Sequence, residues 1–242
     1  MRTFKLTLEY EGTAFHGWQR QPGLRTVQEE LSRAIASITC ARGEVTVTGA
    51  GRTDAGVHAV GQVASFSSPT ALSPAVLRRG LNALLPRDIR VRSAEEAPAS
   101  FNARFSARSR SYHYIFIRRP TALWRSYYYL VTGELDLAAM GESLAGLRGE
   151  HDFTTFTTAE DGSSVKRCRV IRAELIETPP LVVVSIAADH FLHHMVRSLA
   201  GTVLEIGRGK PSSVAEMLAA RDPAEAGPTL PPHGLYLMHV EY

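Results

Sequence analysis

Phe4-Lys5-Leu6-Thr7-Leu8-Glu9-Tyr10 opens the chain with an apolar residue at every second position, so Phe4, Leu6, Leu8 and Tyr10 share one face of a strand. A loop over 11–25 follows, and then the apolar period lengthens. Val27, Leu31, Ala34, Ile35 and Ile38 form one stripe of a helix, with Thr26 and Glu29 at capping-box spacing. Val45-Thr46-Val47 reads as a strand, residues 60–67 as the next, and Ser73-Pro74 starts a second helix carrying Val76, Leu77, Leu81 and Leu84. The short strand Ile89-Arg90-Val91 completes a β-α-β-β-α-β series.

The same rhythm returns further along. Strands are expected over 111–117, 165–176, 181–187 and 235–242, and helices after Asp136, over 191–206 and over 212–221. Leu181 to Ala187 is a continuous apolar run, the pattern of a central strand covered on both faces. The chain therefore reads as α+β, built from two ferredoxin-like halves. Pro98 and its small neighbours mark a boundary. It separates an N-terminal half, 1–100, from a C-terminal half, 101–242.

Bulk composition excludes several classes. Of 242 residues 44% are hydrophobic and 21% charged, as in ordinary globular proteins, and no apolar run nears the ~20 residues that span a bilayer. The first residues enter strand alternation directly, with no sign of a signal peptide, and Cys40 and Cys168 lie far apart without disulfide or zinc spacing. A cytoplasmic protein is expected. The net charge is only +3, but its distribution is uneven. From Ala97 to Gly133 no acidic residue occurs, while Arg104, Arg108, Arg110, Arg118, Arg119 and Arg125 alternate with Phe101, Phe105, Tyr112, Tyr114, Phe116, Trp124 and Tyr127 to Tyr129. Arginine forks and aromatic faces without compensating acid suit a looped RNA. The competing reading is a basic strand whose aromatics fill the core.

Four clusters carry chemistry. Gly51-Arg52-Thr53-Asp54-Ala55-Gly56-Val57-His58-Ala59 sets Asp54 between two glycines and beside a guanidinium, so the carboxylate either presents itself to a ligand or caps its own turn. Phe15-His16-Gly17-Trp18-Gln19-Arg20-Gln21 either grips a nucleotide by stacking and amide bonds or anchors its loop to the core. Arg110-Ser111-Tyr112-His113-Tyr114 places Tyr112 and Tyr114 on one face of a strand. In the fourth cluster, His190, His193 and His194 stand one helical turn apart. Zinc would need further ligands at suitable spacing, so no metal is expected. Gly49-Ala50-Gly51 is followed by Asp54 where a dinucleotide fingerprint has glycine, so no nucleotide cofactor is expected either.

A glycosidase normally uses two carboxyl groups, and no second acid is paired with Asp54 in the sequence. A single ionised carboxylate could attack a nucleoside or stabilise an oxocarbenium-like sugar, and a base recaptured before water intervenes would be isomerised. A glycosylase and a non-catalytic RNA-binding module remain the alternatives at this point.

The ordered motifs carry a resemblance. The 15–21 and 51–59 clusters, Phe101-Asn102-Ala103-Arg104-Phe105-Ser106-Ala107, Arg110-Ser111-Tyr112, residues 191–197 and Gly234-Leu235-Tyr236-Leu237 together resemble the A-type tRNA pseudouridine synthases over nearly the whole chain. That resemblance implies two α/β halves sharing a mostly antiparallel sheet with a catalytic cleft between them. It implies a cofactor-free homodimer that converts uridine to pseudouridine at positions 38, 39 and 40 of the tRNA anticodon stem-loop. It makes Asp54 the catalytic nucleophile, Tyr112 the aromatic on the target uracil, and Arg52 the companion of the Asp loop. Arg197 becomes the basic partner of the aspartate, and Leu235 an apolar residue of the pocket.

Overall fold

The computed structural model describes residues 1–41, 43–158, 165–211 and 213–242. They form two compact units, and the division differs from a cut at residue 100. Met1–Arg108 packs with Tyr236–Tyr242, and Ser109–Leu235 forms the other unit. The last strand accounts for one part of the difference, since it pairs with a strand of the first unit, and residues 101–108 for the other, with Ala103 N–H donating to Ser65 Oγ at 3.0 Å.

The first unit runs β1 (Arg2–Tyr10), α1 (Val27–Thr39), β2 (Thr48–Gly49), β3 (His58–Ser68), α2 (Pro74–Leu84) and β4 (Ile89–Ala97). Its strands lie in the order β4-β1-β3, with β2 on the far side of β3, as a ferredoxin-like series requires. These pairs are antiparallel, whereas β10 (Leu235–Glu241) joins β3 in parallel through Tyr236 opposite His58 and Leu237 opposite Ala59. The expected faces form: Phe4, Leu6 and Leu8 are wholly buried, as are Val27, Leu31 and Ile35 of α1. Each such aliphatic side chain contributes about 1.5–3 kcal/mol.

Two local expectations fail. Thr26 stands at the N-cap of α1 but its side chain, wholly buried, accepts no capping bond. Val45-Thr46-Val47 is not a strand; the Val47 carbonyl accepts the Gln28 side chain at 2.7 Å, and ladder pairing begins only at Thr48 and Gly49.

The second unit runs β5 (Ser109–Ile117), β6 (Tyr129–Leu130), α3 (Leu137–Ala145), β7 (Gly149–Asp152), β8 (Arg167–Thr178), β9 (Leu181–Ala188), α4 (Met195–Gly207) and α5 (Val214–Ala220). Its sheet order is β5-β9-β8-β7, all antiparallel, with β6 parallel to β5. Together the two units make an α+β fold with mostly antiparallel strands. Asp136 caps α3 by accepting the Ala139 N–H at 2.9 Å, as expected. Ser213 and Glu216 form the capping box of α5; Ser212, the expected start of that helix, lies outside the described residues. Helix α4 begins at Met195 rather than at Phe191. Within β9, Val182, Val184, Ser185, Ile186 and Ala188 are buried, close to the two-sided cover expected of it. No helix among the described residues is long and apolar enough to cross a membrane.

Half-buried imidazoles set an acid limit on this unit. Burial lowers the pKa of His113, helped by nearby Arg172 and opposed by Glu174, and burial lowers His233 against a bond that its ring donates to the Tyr128 backbone. The unfolded chain therefore takes up protons that the fold refuses. Stability is fully present above the ordinary histidine value of 6.5 and is lost as pH falls below it. The urea midpoint should decline between about pH 7.5 and 5.5, and His113→Gln should flatten part of that decline. An unchanged slope in the variant would remove His113 from the account.

Candidate active site

Asp54 is half-buried in the loop that joins β2 to β3, and the backbone around it is tied on both sides. Before it, the Gly51 carbonyl accepts the Gln62 side chain at 2.8 Å, and the Thr53 carbonyl accepts the Trp18 N–H at 3.0 Å. After it, Val57 N–H donates to the Asp54 carbonyl at 3.2 Å, closing a tight turn, and Gly56 N–H donates to the Phe15 carbonyl at 3.2 Å. Of the two glycines flanking Asp54, Gly56 takes the left-handed conformation, with φ 79°.

The neighbouring 11–25 loop is the backing of this turn. A Cβ at Gly17, itself at φ 87°, would lie 2.6 Å from the Thr53 carbonyl oxygen, and one at Gly12 only 2.1 Å from that of Val57. The two loops thus pack backbone to backbone. Trp18, 1% exposed, is an anchor in the core and not a stacking surface for a nucleotide. Gln21 likewise turns inward on its own loop, donating to the His16 carbonyl at 2.9 Å. Arg25 closes the loop's far end with a two-pronged bond to Asp88 at 2.8 and 3.0 Å, lying 4.1 Å over the Phe15 ring.

Sequence reasoning missed the polar layer beneath Asp54. Tyr10 Oη meets Thr53 Oγ1 at 2.8 Å in the core, where burial pushes the Tyr10 hydroxyl up to about 12 against the pull of its bonds to Thr53 and Gln62. His58, 2% exposed, accepts the Gly12 N–H through Nδ1 at 2.9 Å and stacks on Tyr236 at 4.8 Å. That bond needs an unprotonated Nδ1. The only signal of these supports in the sequence is that His58 belongs to the Asp54 motif and Tyr10 ends the β1 alternation. Arg52, by contrast, is exposed beside the loop.

The second unit holds the other expected residues. Tyr112 is 7% exposed on β5 and meets Phe191 edge-on at 5.0 Å. Tyr114, two residues on, is fully buried and its hydroxyl donates to the Pro231 carbonyl at 2.8 Å. Burial raises the Tyr114 pKa well beyond its ordinary range, so it is a neutral structural tyrosine. Arg197 on α4 is half-buried, and its Nε donates to the Leu230 carbonyl at 2.7 Å while its own carbonyl accepts the Leu230 N–H at 3.3 Å. Leu235 is buried at the start of β10.

The three histidines expected on one helical turn instead precede α4. His194 sits at φ 60°, a left-handed residue that delays the helix. His193 stacks on it at 3.8 Å and engages Thr158 Oγ1 through Nδ1 at 2.9 Å, while His190 Nδ1 lies 2.8 Å from Asp189. The second unit therefore fixes Tyr112 by ring packing and Arg197 by main-chain bonds, and the first fixes Asp54 by its loop.

Comparison with known proteins sets these residues in a family. The tRNA pseudouridine synthase family matches residues 7–106 and 144–242. The chain is 43% identical over 246 residues to the tRNA pseudouridine synthase A of Geobacter sulfurreducens, covering all of both chains. It is 39% identical over 246 residues to that of Caldicellulosiruptor bescii, again over all of both. To that of Bacillus licheniformis it is 41% identical over 242 residues, covering 98% of each. With both units matched and the likeness running end to end, the chain belongs to the tRNA pseudouridine synthase family, the isomerases of uridine in tRNA.

Proposed function

We propose that this enzyme isomerises uridine to pseudouridine at positions 38, 39 and 40 of the tRNA anticodon stem-loop, with Asp54 as nucleophile. The observation that carries the reading is the Asp54 loop itself, a half-buried carboxylate on a turn braced by Trp18, Gln62 and the Phe15 carbonyl. Such bracing fixes the backbone that presents the carboxylate, as an attack on a sugar or ring carbon requires.

The target uridine leaves its stack at a cost of a few kcal/mol, least in a loop. Asp54 attacks C1′, displacing the base at N1, or adds to the uracil ring; the base turns, C5 bonds to C1′ as the Asp54 carboxylate leaves, and N1 takes up a proton in place of the one lost from C5. Arg197 keeps the carboxylate ionised and Arg52 holds the flipped nucleotide or its phosphate. Tyr112 lies against the uracil and takes the C5 proton. The first unit thus supplies the carboxylate and the second the aromatic, RNA-contacting strand. The enzyme acts as a homodimer in the cytoplasm, a state that sedimentation velocity tests directly.

Carbodiimide labelling followed by primer extension on a transcribed tRNA tests the site. Stops at 38, 39 or 40 are expected, and stops confined to another arm would refute the assignment. Tyr112→Phe keeps the ring on Phe191 but deletes the hydroxyl. Turnover should fall by about 10²-fold with tRNA affinity held within about twofold. Unchanged turnover would move proton abstraction to another group.

A further inference from the structure

The loop over 118–128 leaves β5 and returns beside it. Its two ends are held by the parallel pairing of Phe116 with Tyr129 and Ile117 with Leu130. Arg118 N–H donates to the Pro180 carbonyl at 2.9 Å, and the Tyr129 ring packs edge-on against Phe116 at 6.2 Å. The base of the loop is therefore fixed. Its tip is shaped by two small turns: Thr121 Oγ1 accepts the Leu123 N–H at 3.2 Å, and the Trp124 carbonyl accepts the Tyr127 N–H at 2.9 Å.

Between these turns stands Trp124, at φ 54° and 64% exposed. A large β-carbon side chain in the left-handed region is strained, and its ring in water forfeits the burial that normally repays an indole. Arg118, Arg119 and Arg125 of the same loop are exposed too, in the stretch from 97 to 133 that has no acidic residue.

We propose that Trp124 is a stacking platform for an unpaired base of the tRNA, with Arg118, Arg119 and Arg125 on the adjoining phosphates. The inference rests on the tRNA reading above and adds a contact outside the residues assigned to the chemistry. An indole face accepts any base, and a guanidinium fork fits phosphate oxygens. A second copy of the chain is the competing occupant, since Leu123 beside Trp124 is also 64% exposed. Charge argues against it: a twofold interface sets the same patch against itself, and here it would gather the arginines of both copies with no acid from the patch to pair them.

The chain has two tryptophans, and Trp18 backs the Asp54 loop, so the part of a fluorescence change on titration with tRNA transcript that Trp124→Ala removes reports Trp124. Quenching is expected in the wild type. Trp124→Ala should raise both the Kd and the KM for tRNA roughly tenfold, and Trp124→Phe should recover most of the loss. Unquenched fluorescence with an unchanged KM in Trp124→Ala would overturn the proposal. So would a variant that sediments as a smaller species and regains wild-type KM at high protein concentration, which would assign the patch to a second copy. A wild type that binds and quenches yet forms no pseudouridine would contradict the catalytic reading and leave the platform standing.

Discussion

Asp54→Asn should abolish tritium release from tRNA labelled at uridine C5, a fall of roughly 10³-fold or more, while tRNA affinity stays within about threefold. Asparagine has the size of aspartate but no negative charge, so it neither attacks carbon well nor stabilises a developing cation. The loop that carries it is anchored through the Gly51 and Thr53 carbonyls, the Gly56 N–H and His58, and these anchors survive the substitution. Loss of turnover in a folded, RNA-binding variant is therefore a statement about chemistry. Residual activity within tenfold of wild type would remove Asp54 from the nucleophile's role.

Trp18→Ala should cost about 3–5 kcal/mol of stability, read as a lowered urea midpoint at unchanged slope. The indole is 1% exposed, tilted against Tyr10 at 6.2 Å, and fills a space that requires glycine at 49, where a Cβ would lie 2.4 Å from the ring. Its removal leaves a cavity under the bond from Trp18 N–H to the Thr53 carbonyl, next to Asp54. Activity should then fall even well below the unfolding midpoint, because the carboxylate loses its backing. Trp18→Phe should retain part of both. A cost under about 1 kcal/mol would mean that the loop holds itself.

Much of this was legible in the sequence, and the physics explains which part. The period-two face of β1 and the stripe of α1 are determined by burial on one side, so residues such as Leu6, Leu8 and Leu31 announce their elements. Val45-Thr46-Val47 has strand composition yet pairs with no strand, and its Val47 carbonyl accepts the Gln28 side chain instead. The two-residue β6 is too short to show a period, and β10 finds its parallel partner β3 across more than half the chain, beyond any local signal. At the site, the Asp54 motif and its glycines were readable as a turn. Whether Trp18 faced RNA or the core was not, because an indole serves both environments equally well. The Tyr10, Thr53 and Gln62 layer was hidden because its members are far apart in the chain and meet only when β1 and β3 pair.

Uridine should become pseudouridine within an intact tRNA. Nucleoside analysis of a transcribed tRNA after incubation with the purified protein tests it most directly. Uridine should decline, pseudouridine should rise by the same amount, and the mass of the RNA should be unchanged with no free uracil. Release of uracil, or a tRNA whose uridines are untouched at saturating protein, would contradict it.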